Sequence, residues 1–160
     1  MRKFYIKERL LSLGAKFDVY DENNIKVFVA EADKFDIGKN ISIYDSTNRK
    51  ILYMSQQIRL GAHKYIAYDK DMREIATIKK EFMVPEYNIT GSVGVMVMES
   101  SSILGRNYEI KKAGVTIGKI DKEFTFGRDR YFLEVVDERY TEFFIGLLIM
   151  VDMVRFHNNN

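Results

Sequence analysis

Three stretches of this chain repeat one phrase: Phe17-Asp18-Val19-Tyr20-Asp21, Ile41-Ser42-Ile43-Tyr44-Asp45 and Tyr65-Ile66-Ala67-Tyr68-Asp69. Their Tyr-Asp pairs are spaced 24 residues apart, and six residues beyond each Asp stands a β-branched side chain, Val27, Ile51 or Ile75. Self-similarity at a fixed period points to one supersecondary unit used many times. A second phrase alternates with the first: an apolar residue, Gly, and soon a base. It occurs at Leu13-Gly14-Ala15-Lys16, Ile37-Gly38-Lys39, Leu60-Gly61-Ala62-His63-Lys64, Leu104-Gly105-Arg106 and Phe126-Gly127-Arg128, while Val84-Pro85-Glu86 fills the remaining slot with proline as turn-former. The six turns are separated by 24, 23, 24, 20 and 22 residues.

Between these marks the chain alternates and is rich in Val, Ile, Tyr and Phe, as in Val93, Val95 and Val97 with Met96 and Met98 on the opposite face, which is the signature of strands. Asn23-Asn24, Thr47-Asn48, Lys70-Asp71 and Ala113-Gly114 have the composition of hairpin loops. The pattern predicts twelve strands, at 4–10, 16–20, 25–32, 40–45, 50–58, 64–69, 73–82, 86–91, 94–99, 107–111, 115–123 and 130–136, followed by a helix at about 138–156. The helix carries Phe143-Phe144-Ile145-Gly146-Leu147-Leu148-Ile149-Met150-Val151, an apolar run too short for the ~20 residues of a membrane span. It has no polar stripe, so protein must surround it.

Twelve strands in hairpin succession leave two open edges unless the sheet closes. Closure at that strand number leaves a lumen wide enough for a helix ~10–12 Å across. A mainly β fold follows: a closed antiparallel up-and-down barrel enclosing a C-terminal hydrophobic helix, one domain over 1–157 with a disordered tail at 158–160. The competing arrangement is a flat or sandwiched sheet with the helix on one face.

The repeated hairpin, the Gly-base turns and an apolar C-terminal helix containing an acid, Ile149-Met150-Val151-Asp152, resemble the LURP-one-related family of the tubby C-terminal-like superfamily, in its short bacterial form. The resemblance runs from Phe4 to about Val154 and implies a twelve-stranded barrel around a central helix. It implies little about activity: tubby proteins bind phosphoinositides and the related scramblases act at membranes, but their lipid and calcium motifs have no match here.

The 160 residues hold 25 Lys+Arg against 23 Asp+Glu, 46% hydrophobic residues and no cysteine, which excludes a disordered chain, a disulfide scaffold and a Cys-ligated metal site. The charged start, Met1 to Arg9, lacks the apolar stretch of an export signal, so a cytoplasmic location, peripheral at the inner membrane face, is expected. No catalytic motif occurs, and neither histidine, His63 or His157, has an evident nucleophile beside it. No enzyme and no cofactor are expected. Asp69-Lys70-Asp71 opens like an EF-hand loop but has Glu74 and Lys80 where Gly and Glu are needed, so no metal is expected either.

The charge layout is the remaining functional signal. Successive turns of an up-and-down barrel fall at opposite ends. One end should gather Asp21, Glu22, Asp45, Asp69 and Asp71, tempered by Lys70. The other should gather Lys16, Lys39, His63, Lys64, Arg106 and Arg128, tempered by Glu86 and Asp129. Against an anionic surface each base contributes ~1 kcal/mol, enough for weak, salt-sensitive docking on anionic phospholipid headgroups or an acidic protein. Asp152 is the one acid of the apolar helix, with Arg155 three residues on and on the same face as its expected partner. The alternative is a small-molecule carrier or enzyme with a pocket at a barrel mouth near Asp152; nucleic-acid binding ranks third.

Overall fold

The computed structural model describes residues 1–11, 14–33, 40–59, 62–81, 84–101, 107–125 and 128–158. They form twelve strands: β1 (Arg2–Leu11), β2 (Gly14–Asp21), β3 (Lys26–Asp33), β4 (Asn40–Asp45), β5 (Lys50–Arg59), β6 (Ala62–Asp69), β7 (Glu74–Lys80), β8 (Glu86–Thr90), β9 (Met96–Ser100), β10 (Asn107–Lys112), β11 (Val115–Thr125) and β12 (Arg128–Val135). Each pairs antiparallel with its sequence neighbour, and β1 pairs with β12 through Arg2↔Val135 to Tyr5↔Phe132, closing the barrel. No edge strand remains to template aggregation.

The chain then turns inward. Residues Glu138–Tyr140 form a single 3₁₀ turn and α1 spans Thr141–Asn158. The expected helix start at 138 is thus a tighter turn, nucleated by Asp137, whose carboxylate accepts the Arg139 N–H at 3.2 Å. The helix also runs on through Asn158, into the segment expected to be a disordered tail. Because β12 finishes at the end where the Tyr-Asp turns lie, α1 enters there and heads for the opposite end.

The alternation along the strands decides what meets α1. Inward-facing Phe4, Phe17, Ile43, Met54, Ile78, Met98 and Leu133 are all at most 1% exposed, as are Phe144, Leu147, Leu148 and Met150 of the helix. Small buried residues line the inner wall at Ala30, Ala67, Ala76 and Gly118, and at Gly118 and Gly146 wall and helix approach closely. A Cβ on Gly118 would lie 2.8 Å from the Phe144 ring, and one on Gly146 would lie 2.6 Å from Leu52 Cδ2.

The Tyr-Asp phrase has a local explanation. Asp21 Oδ1 accepts the N–H groups of Asn23 and Ile25, both at 2.9 Å. Asp45 does the same for Thr47 and Arg49, at 2.9 and 3.0 Å, and Asp69 for Asp71 and Arg73, both at 2.9 Å. In each turn the residue three beyond the Asp is left-handed, Asn24 at φ 61°, Asn48 at φ 63° and Met72 at φ 60°, and the register shifts one residue before the Asp. These are three-residue loops ending in a bulge rather than the two-residue loops the composition suggests. Ala113 (φ 49°) and Gly114 (φ 78°) do form a two-residue loop between β10 and β11.

Candidate functional site

The barrel has two distinct ends, and they differ in a way the charge pattern alone does not convey. The Asp-turn end is formed by the β2–β3, β4–β5, β6–β7, β8–β9 and β10–β11 hairpins together with the chain start and the entry of α1. Its acids are largely spent on the fold. The Asp21, Asp45 and Asp69 carboxylates hold their own turns. The hydroxyl of Thr47 (2.6 Å) and the Arg49 N–H keep the Asp45 carboxyl below its usual range. Asp137 is paired to Arg139 at 2.7 Å and likewise depressed. Lys26, Arg49, Lys50, Lys70, Arg73 and Lys112 sit among them, so this end is charge-balanced rather than acidic.

The entry of α1 is fastened at the same end. Lys112 Nζ donates to the Tyr140 hydroxyl at 2.7 Å and to the Val93 carbonyl at 3.3 Å, and Tyr140 stacks on Phe144 with centroids 5.7 Å apart. Glu142, in the first turn of α1, has its carboxyl pushed up by burial and by Asp45, with Lys70 opposing. Besides the charged and amide side chains of its turns, this end shows several apolar ones to solvent. Val95 (69% exposed), Val115 (63%), Ile25 (58%) and Met72 (56%) project from four different connections, joined by Val136 and Met1.

At the other end the six strand pairs flanking the Gly-base turns finish together. Lys16 lies on β2 opposite Arg9 and Glu31, its Nζ 3.3 Å from the Glu31 carboxylate, so it is already paired. Lys64 lies on β6 opposite Gln57 and Lys79. His63 pairs with Ile58 and Arg128 with Thr125 at strand ends of the same rim, but their side chains, like that of Arg155 on α1, lie outside the described residues, as do Lys39 and Arg106 altogether. Glu86, the acid expected to temper this end, starts β8 opposite Glu99. Asp152 is half-buried on α1 and engaged in a contact of its own.

Sequence reading missed the inner wall of this end. The strands β6, β8, β10 and β12 each place one buried tyrosine inside: Tyr65, Tyr87, Tyr108 and Tyr131. Tyr87 and Tyr108 rings lie 6.2 Å apart, and Lys122 Nζ stands 5.4 Å from the Tyr131 ring. Tyr65 is 2% exposed; no hydrogen bond reaches its hydroxyl among the described residues, and burial pushes it up to about 12. The signal was available, since these tyrosines share the strand parity of Ala67, Ile89, Ile110 and Leu133. Among the described residues, no group of three or more His, Asp or Glu could hold a metal, and no helix is long and apolar enough to cross a membrane.

A closed twelve-stranded antiparallel barrel threaded by its own C-terminal helix, with carboxylate-held turns at one rim, defines the class. The chain belongs to the LURP-one-related family, whose family model matches residues 2–152. It is similar to the Uncharacterized protein YxjI of Bacillus subtilis (strain 168), 21% identical over 163 residues that span 100% of this chain and 98% of that protein. No solved structure matches.

Proposed function

We propose that this protein is a non-enzymatic binding module whose Gly-base end docks weakly on an anionic surface, membrane headgroups or an acidic protein. The observation that carries the reading is topological. Strict up-and-down closure sends every second connection to the same rim, where Lys16, His63, Lys64 and Arg128 stand on the flanking strands; Lys39 and Arg106, outside the described residues, belong by sequence to the β3–β4 and β9–β10 connections. The opposite rim balances its own charge. Docking of this kind is screened by salt within a Debye length of ~10 Å at 0.1 M. Flotation with anionic vesicles at low salt tests it: binding should exceed that to neutral vesicles and fall in Lys39→Glu with Arg128→Glu. Equal binding to both vesicle types, or an indifferent double variant, removes the lipid version.

A second reading is favoured by one observation, the Tyr65 hydroxyl on the inner wall, which has no hydrogen-bond partner among the described residues. Buried polar groups are nearly always satisfied, by protein, water or ligand. A small polar ligand seated at this mouth between Tyr65 and Asp152 would raise the melting temperature, and both Asp152→Asn and Tyr65→Phe would abolish that rise.

A further inference from the structure

We infer that the Asp-turn rim is a membrane-inserting surface that seats the barrel end-on in the interfacial layer of a lipid bilayer. Among the described residues, every exposed large apolar side chain except Val84 belongs to this one end. Ile25, Met72, Val95 and Val115 come from four different hairpins, with Met1 and Val136 between Val115 and Ile25, while the β4–β5 tip, Ser46 to Lys50, is polar. Hairpin tips have no reason to be apolar for folding, because none of these side chains reaches the core.

The arrangement selects a bilayer over a folded partner. The apolar tips are side chains at the ends of separate hairpins around the mouth of a cylinder. Such tips meet a flat, fluid phase together. Immediately behind them on the outer wall runs a belt of half-buried tyrosines, Tyr20, Tyr44 and Tyr68, each directly preceding a turn acid, flanked by Tyr5 and Tyr53. Tyr5 stacks on Tyr20 with centroids 5.2 Å apart, and Tyr53 lies 5.9 Å from Tyr68. Tyrosine is the side chain of membrane interfaces, apolar in its ring and wet at its hydroxyl. Lys7 lies 4.9 Å from the Tyr20 ring and Lys50 5.3 Å from that of Tyr53, ammonium groups able to reach headgroup phosphates while their stems cover the rings. Lys26, Arg49, Lys50, Lys70, Arg73 and Lys112 offset the rim acids, which limits the repulsion those acids would present to a headgroup layer.

This inference goes beyond the docking reading and is separable from it. With the Asp-turn rim in a bilayer the Gly-base end faces away, so its anionic partner is then something other than that bilayer. Insertion of apolar tips is driven by burial and tolerates salt and neutral lipid, whereas docking through bases requires anionic lipid and low salt.

The chain contains no tryptophan, so Ile25→Trp and Val95→Trp each give a single reporter against a dark background. With vesicles of pure phosphatidylcholine at high salt, the emission of both should shift to the blue and be quenched by brominated acyl chains. The paired variant Ile25→Asp with Val115→Asp should float with the same vesicles at least about tenfold less than wild type, with an unchanged melting temperature. Lys39→Glu with Arg128→Glu should float like wild type under these conditions. Emission indifferent to vesicles, or undiminished flotation of the Asp pair, overturns the inference. So does a tip-dependent self-association seen by sedimentation without lipid, which would make the tips a protein interface.

Discussion

At the scale of single residues, Tyr65 makes the sharpest case. Its phenol is enclosed among apolar groups, and burial alone raises its ionisation to about 12 from an ordinary 10.0. The sign of the pH effect follows. Below pH 10 the hydroxyl is neutral in folded and unfolded chains, and stability is fully present. Between pH 10 and about 12 the unfolded chain ionises and the folded one does not, so stability drops by about 1.4 kcal/mol per pH unit from this group. Tyr65→Phe should flatten that alkaline limb in urea titrations from pH 9 to 12, and at pH 7 it should be neutral or stabilising by up to ~1 kcal/mol, since no hydrogen bond to a described residue is lost. A loss above ~1 kcal/mol at neutral pH would mean that the hydroxyl has a partner. The same residue shows the limit of sequence reading. Tyr65 and Tyr68 stand in one repeated phrase, yet one faces the helix and the other the outer wall; only the two-residue period, applied to each tyrosine separately, distinguishes them.

Among the elements, the hairpin turns separate what sequence conveys from what it withholds. Their positions were legible because Asn, Asp and Gly punctuate alternating runs, and strand limits agree to within a few residues, as in β4 at 40–45. The role of the acids was not. An Asp at a loop reads as surface charge, but here the carboxylate accepts two backbone N–H groups, an Asx geometry in which the charge is spent locally. Thr47→Val should therefore let the Asp45 carboxyl rise toward its ordinary 3.8, seen by NMR titration. Because its folded value is depressed, the turn's contribution is present above 3.8 and lost as pH falls through the folded value, and the variant should lose it at higher pH. The β10–β11 loop offers the converse change. Ala113 is held at φ 49°, a left-handed conformation that costs an L-residue about 1 kcal/mol, and Ala113→Asn creates the Asn-Gly pair that this loop prefers. A gain of ~1 kcal/mol in denaturant melts is expected, and a loss would show that Ala113 is fixed by packing instead. The inner wall makes the third case: in Gly118→Ala the new methyl meets the Phe144 ring, for a cost of about 1–3 kcal/mol that Phe144→Leu should partly recover in a double-mutant cycle.

For the whole molecule, barrel and helix are one thermodynamic unit, because neither has a stable alternative alone. Twelve strands enclose a lumen that side chains of the wall cannot fill, and α1 is apolar on every face from Phe143 to Val151. The sequence conveyed this because width and apolarity are both countable from it; it could not convey the exposed tips Ile25, Val95 and Val115, which read as ordinary strand residues until closure puts them at one rim. The dependence is graded and testable. Leu148→Ala removes a side chain with no exposed surface and should cost about 2–5 kcal/mol, while Val97→Ala on the outer wall should cost well under that. A chain ending at Val136 keeps the sequence of every strand and the groups that pair them but leaves the inner faces of Phe17, Ile43, Met54 and Leu133 around an unfilled channel. That truncated chain should show no cooperative calorimetric transition and should bind hydrophobic dyes, with strand content retained only in part. If it melts cooperatively near the full-length temperature, the wall is closing on its own side chains, and the helix is cargo rather than core.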